Sequence, residues 1–168
     1  ACNRTPEVPV ESRSAQELFL TAERQLQQGQ TVRAAGLFDE VERLYPFSEW
    51  AKRSIIMSAY AYYESQRFEQ ARNSAERYLD FYPADDDAAY AQYLIALSYY
   101  DQIVDVSRDQ ALTFDAVQAL RETIERYPDS EYTKSAELKF ALALDHLAGK
   151  EMEIGRSYLK RGHYTSAI

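Results

Sequence analysis

One thiol and two imidazoles hold most of the nucleophilic and metal-binding capacity of this chain: Cys2, His146 and His163. No second thiol exists, so Cys2 cannot close an internal disulfide, and the three groups are too scattered to read as a clustered metal site. A nucleophile triad needs a base held by an orienting group. His146 has only Asp145 beside it on a helical face, and His163 falls in a turn. No Gly-x-Ser-x-Gly, Gly-x-Gly-x-x-Gly or P-loop occurs. Asp101, Asp105, Arg108 and Asp109 lack the Asp-x-Asp-x-Asp-Gly order of a calcium loop and read as a solvated connection. Carboxylate pairs such as Glu17/Glu23 and Glu40/Glu42 lie on helix surfaces. Catalysis is not expected, nor is any metal or cofactor. The chemistry that remains belongs to Cys2: behind the small residue Ala1 it matches a bacterial lipoprotein cleavage site, where the thiol is acylated and anchors the chain. The alternative is an exposed free thiol.

Composition describes a globular body on that anchor. Hydrophobic residues make up 46% and charged residues 27%, and no apolar run reaches the roughly 18 to 20 residues of a membrane span. The net charge of −8 argues against nucleic acid and against electrostatic adhesion to anionic lipid. Five glycines and five prolines are too few for an all-β protein rich in turns. Fourteen tyrosines are many for 168 residues, and they recur at helical spacing.

The elements that carry these residues are helical. Residues 1–13, with Pro6 and Pro9, read as a linker. Ser14-Ala-Gln-Glu17 is a capping box, Leu18, Ala22 and Leu26 share a face, and Gly29 ends the helix. A second helix runs through Ala34, Phe38 and Val41 to Tyr45-Pro46. That ending recurs at Tyr82-Pro83 and Tyr127-Pro128, where proline stops a helix and the following Ser48, Asp85 or Ser130 can cap the next. Pro46 and Pro83 stand 37 residues apart, and Pro83 and Pro128 stand 45 apart.

The repeating unit is therefore a helical hairpin, with extra residues in the third copy around 102–113. Small residues hold register before each proline: Ala34-x-x-x-Phe38, Ala71-x-x-x-Ala75 and Ala116-x-x-x-Leu120, with Ala59/Tyr62 and Ala96/Tyr99 on the preceding helices. The pattern resembles the tetratricopeptide repeat without its first-helix tryptophan; only a fourth unit has the glycine, in Gly155-x-x-Tyr158 before Ala167. The expected fold is an all-α, right-handed superhelical solenoid of about three and a half hairpins, at 14–46, 48–83, 85–128 and an incomplete 130–168. Gly149 is a potential kink and Gly162 a break, and the chain reads as the front part of a longer protein.

A solenoid of this kind offers an inner groove lined by first helices. Projected here, the lining is Phe19, Glu23 and Leu26, then Arg53, Ile56, Tyr60 and Tyr63, then Tyr90, Tyr93, Leu97 and Tyr100. Tyrosine presents a flat apolar face and a hydroxyl at modest entropic cost, which suits capture of extended peptides. The competing expectation is that many of these rings, Tyr62 and Tyr99 above all, are inter-hairpin core.

Leu44-Tyr45-Pro46-Phe47-Ser48, Ala59-Tyr60-Ala61-Tyr62-Tyr63, Arg77-Tyr78-Leu79 and Tyr127-Pro128-Asp129-Ser130-Glu131-Tyr132, together with Cys2, resemble the BamD family of tetratricopeptide lipoproteins. Leu44 stands where the family frequently has arginine. The resemblance implies a lipid-anchored component on the periplasmic face of the outer membrane, working in β-barrel assembly. It implies unfolded outer-membrane proteins as clients, gripped through their aromatic-rich β-signals. It further implies BamA as partner, through POTRA domains and mainly carboxy-terminal repeats, with other Bam lipoproteins as further partners. Tyr45 and Phe47 would then edge the groove, with Tyr60 and Tyr63 inside it. Asn3 after the acylated cysteine would suit outer-membrane sorting. The alternative is a different periplasmic scaffold, such as a Tol-associated adaptor of cell-envelope constriction, which shares the Tyr-Pro-x-Ser endings.

Overall fold

The structure, a computed structural model, describes residues 13–103 and 110–161. Cys2, Asn3, Asp105, Arg108, Asp109, Gly162, His163 and Ala167 lie outside the described residues. Seven helices account for nearly all of the rest: α1 (Ala15–Gln27), α2 (Thr31–Leu44), α3 (Glu49–Glu64), α4 (Phe68–Phe81), α5 (Ala88–Ile103), α6 (Gln110–Arg126) and α7 (Thr133–Lys160). No strand occurs among the described residues. The fold is all-α and of tetratricopeptide type. The chain divides into two compact units between Leu94 and Ile95, inside α5.

In the first unit the 37-residue period is written into the backbone. Gly29 and Gln66, one period apart, both take positive φ, 75° and 59°. At the first, Gly29 N–H donates to the Leu26 carbonyl and Gln30 N–H to that of Gln25; at the second, Gln66 donates to Tyr63 and Arg67 to Tyr62. Both are Schellman endings, which satisfy carbonyls that a helix terminus would leave orphaned. Tyr45 and Tyr82 match as well, with φ/ψ of −134°/53° and −133°/52°. The prolines after them cannot donate the next helical hydrogen bond.

Helix starts follow the sequence less uniformly. Ser14 and Glu17 form the expected capping box, and the Ser48 hydroxyl accepts from Ala51 N–H at the head of α3. Asp85 meets the expectation in part: its carboxylate accepts from Asp87 N–H at 3.3 Å ahead of α5, which begins at Ala88, and also engages Lys52 and Tyr78. Ser130 differs, because its hydroxyl meets Thr133 Oγ1 while Thr133 donates back to the Tyr127 carbonyl.

Packing follows the small residues. α1 lies on α2 and α3, α2 on α3, and α3 on α4. Leu18, Phe19, Ala22, Ala34, Phe38 and Val41 form one buried cluster, with the Phe19 and Phe38 rings 5.3 Å apart near edge to face. Ala59, Ala71 and Ala75 are fully buried. A methyl at each of these positions lets neighbouring helices approach where a longer side chain would overpack. In the second unit α6 packs on α7. Ala116, Leu120 and Thr123 of α6 and Ala136 and Ala143 of α7 are buried. α7 runs through Gly149 without interruption. Beyond Ala143 its side chains are mostly exposed, including Met152, Ile154, Tyr158 and Leu159.

Candidate functional site

A polar cluster fixes the geometry from below. Asp39 on α2 accepts from the Ser58 hydroxyl at 2.5 Å and from the Tyr62 hydroxyl at 2.6 Å, both on α3. Ser58 also lies 3.3 Å from the Ser74 hydroxyl on α4. Burial, reinforced by the Asp39 carboxylate, pushes the Tyr62 phenol up to about 12. Above this cluster Arg77 of α4 forms a two-pronged ion pair with Glu42 of α2, at 2.8 Å for each prong. Paired guanidinium and carboxylate planes resist rotation better than a single contact. Three helices are thus tied together around one rigid floor.

A second tie holds the far side. Asp85 accepts from the buried Tyr78 hydroxyl at 2.5 Å and pairs with Lys52, whose ammonium also sits 5.7 Å from the Tyr82 ring centre. The Lys52 contact and the Tyr78 hydrogen bond hold the Asp85 carboxyl below its ordinary range, and the same Lys52 contact raises the ammonium.

Between these ties opens a cleft of about 720 Å³. Asp39, Glu42 and Arg43 form one wall and Arg77, Phe81 and Tyr82 the other, with Ile55 at the base and Pro46 and Phe47 at the lip. Phe47 is fully exposed and Phe81 63% exposed. Two exposed phenyl rings beside a cavity of ordinary ligand-pocket size make this cleft the candidate binding surface. Its chemistry is apolar and aromatic, bordered by charges of both signs. Nothing in it resembles a catalytic constellation, and among the described residues no group of three or more His, Cys, Asp or Glu is placed to hold a metal.

The residues singled out from sequence fall in several places. Phe47 stands at the cleft lip. Its neighbour Tyr45 is half-buried, and its hydroxyl donates to the Arg13 carbonyl at 2.5 Å. Arg53 lies over the Phe19 and Trp50 rings, 4.8 and 5.4 Å from their centres, and Ile56 is buried. Of the first-helix partners, Phe19 is buried and Glu23 and Leu26 are half-buried. Tyr60 and Tyr63 of α3 are half-buried, Tyr63 packing 5.9 Å from Phe68, and burial then Glu64 raise the Tyr60 phenol. On α5, Tyr90 is half-buried and Tyr93 is buried. In the second unit Leu97 and Tyr100 are half-buried, and the Lys139 ammonium lies 5.4 Å from the Tyr100 ring centre.

Phe81 was not legible as a site residue. It occupies the repeat position of Leu44, which packs against the core, so the aromatic at that register was the available signal. Arg77 could be read only as part of a motif, because its partner Glu42 lies 35 residues away.

The YfiO family, described as outer membrane lipoprotein, matches residues 11–168. An outer membrane protein assembly factor BamD from Caulobacter vibrioides is 45% identical over 165 residues, covering 98% of this chain and 54% of its own length. Proteins of the same name from Rickettsia prowazekii and Neisseria gonorrhoeae are 38% and 30% identical, over 81% and 92% of this chain and 54% and 61% of their lengths. The chain spans little more than half the length of these curated relatives.

Proposed function

The chain belongs to the YfiO outer membrane lipoprotein family, whose relatives are named BamD, and from that membership we propose that it serves as a non-catalytic β-barrel assembly factor. Its task in this reading is to hold unfolded segments of outer-membrane proteins while they are delivered for insertion. It acts at the periplasmic face of the outer membrane, anchored through an acyl chain on Cys2. BamA is the partner, engaged through POTRA domains by the carboxy-terminal half that the longer relatives carry. No helix among the described residues is long and apolar enough to cross a membrane.

The observation that carries this reading is the pair Phe47 and Phe81, both exposed beside the α2–α4 cleft. Exposed phenyl rings at a rigid cavity suit an extended peptide that inserts an aromatic side chain, and the Arg77–Glu42 pair offers both charges to its backbone and ends. The sequence-derived groove residues Arg53, Tyr60 and Tyr63 lie on α3 and give the competing location.

Titration with an aromatic-terminated β-signal peptide decides between them. Phe47→Ala with Phe81→Ala weakens binding by about tenfold or more, a loss near 1.4 kcal/mol. Both side chains are exposed, so helicity stays intact. If Tyr60→Ala with Tyr63→Ala abolishes binding while the phenylalanine pair is silent, the peptide lies on the first-helix face instead. No binding to the unaltered chain overturns the reading.

A further inference from the structure

We infer that the α1–α3 face carries a second peptide-binding surface, where Arg53 takes a carboxylate side chain of an extended partner segment and Met57 the apolar side chain two residues along. Arg53 is the exposed end of an aromatic stack. Its guanidinium lies 4.8 Å from the centre of the Phe19 ring and 5.4 Å from that of Trp50, and the two rings stand 5.0 Å apart. Phe19 is buried and Trp50 half-buried, so the cation sits on a packed aromatic corner. Contact with rings fixes the position of a guanidinium without pairing its charge with an anion. Glu49, one turn earlier on α3, has the i, i+4 spacing that ordinarily captures an arginine. No such pair forms, and among the described residues Arg53 enters neither an ion pair nor a hydrogen bond. Its N–H donors, which fit a carboxylate two at a time, are left for a ligand.

Helix geometry supplies the second contact. Arg53, Met57 and Tyr60 recur at i, i+4 and i+7 and share one side of α3, with Met57 and Tyr60 half-buried. Four residues of helix advance about 6 Å, and two residues of extended chain advance roughly 6.6 Å. A strand-like segment laid along α3 therefore sets alternate side chains on Arg53 and Met57. Met57 rests on the buried cluster around Phe19, and its unbranched thioether adapts to apolar side chains of different shape. Charge then selects one carboxylate over an acidic run. Glu23 lies one turn after Phe19 on α1, Glu49 one turn before Arg53 and Glu64 one turn after Tyr60, and the chain as a whole carries −8. Further acidic residues in the partner meet repulsion from these groups, whereas the one aimed at Arg53 gains a charge-assisted bond. The occupant is thus an extended polypeptide with an isolated Asp or Glu and an apolar residue two positions later. This surface shares no residue with the α2–α4 cleft, so the inference holds whether or not the cleft takes a client.

Trp50 is the only tryptophan in the sequence, so its fluorescence reports on this corner. The probe is the acetylated, amidated peptide Thr-Glu-Thr-Leu-Thr, titrated into the whole chain. A saturable change in Trp50 emission is expected, with affinity about tenfold or more weaker when the peptide's Glu becomes Gln. That comparison uses the unaltered chain and does not depend on any variant folding. Arg53→Gln gives a similar loss, and Arg53→Lys, which keeps the charge but not the planar fork, also weakens binding. No response, or equal affinity for the Glu and Gln peptides, overturns the proposal. Tight binding of Thr-Gln-Thr-Leu-Thr with a free terminal carboxylate, matching the Glu peptide, overturns it in favour of a site for chain ends. Phe47→Ala with Phe81→Ala leaves the Trp50 response unchanged. Its loss in that variant places the peptide in the α2–α4 cleft and overturns the separate surface.

Discussion

At the residue scale, Asp39 is the most exposed to loss, because two hydroxyls depend on it. Asp39→Ala removes the carboxylate that accepts from Ser58 and Tyr62, and the fully buried Ser58 keeps only its longer contact to Ser74. The expected cost is about 2–3 kcal/mol in urea denaturation, above the roughly 1 kcal/mol of Tyr62→Phe, which removes one hydroxyl and leaves the carboxylate otherwise satisfied. The phenol also gives a titration signature. Tyr62 ionises near 12 when folded and near 10 when unfolded, so between those values the native state retains a proton that the unfolded chain has lost. Stability falls as pH rises through that window. Asp85 works at the other end: its folded carboxyl is depressed, so its contribution is present above the unfolded carboxylate value and is lost as pH falls through the folded one. Lys52, raised in the folded state, contributes below its unfolded value and ceases to as pH rises through the folded one. Stability measured from pH 6 to pH 2 should therefore fall less steeply in Asp85→Asn than in the unaltered chain. None of these pairings was legible in the sequence. Asp39 and Tyr62 are 23 residues apart and Lys52 and Asp85 33, and no local periodicity announces which polar groups meet across a hairpin.

At the element scale the sequence was far more legible, and the reason is local. Helix ends depend on a few adjacent residues: Ser14 with Glu17, Ser48, Gly29 and the Tyr-Pro pairs all act within one turn. The small residues at Ala34, Ala71 and Ala116 show their role through spacing alone. What spacing could not show is that Gln66 adopts the left-handed conformation of Gly29, since glutamine carries no signal for it. That equivalence yields opposite predictions. Gly29→Ala forces a Cβ into positive φ and destabilises by about 1 kcal/mol, whereas Gln66→Gly relieves the same strain and gains up to about 1 kcal/mol. No heavy atom lies within 4 Å of a Cβ built on Gly29, so its penalty is one of backbone conformation and not of crowding. Thermal melts of the two single variants and the pair check both signs.

At the scale of the whole molecule, the repeat identifies the fold class, and the exposed surfaces divide it into well-packed and bare stretches. The tyrosine-rich character of α3 and α5 was plain from sequence, but ring direction depends on which helix packs where: Tyr93 turned out buried, while Phe47, a single aromatic in a turn, is wholly exposed. Hydrogen exchange should show the same contrast within each unit. Amides of α2 and α3, helices carrying many buried side chains, exchange slowest in the first unit. In the second, residues 147–160 of α7 exchange much faster than its opening turns, because few side chains there are buried. Slow exchange along all of α7 would contradict that assignment. Geometry then gives α7 a mechanical role. Its 28 residues extend about 42 Å, against about 25 Å for the 17 residues of α6 beside it. A rod packed over its first half and mostly exposed over its second is a lever arm: whatever grips the exposed half exerts torque on the packed one. A tilt at the root too slight to break a single contact would sweep the tip through several ångströms.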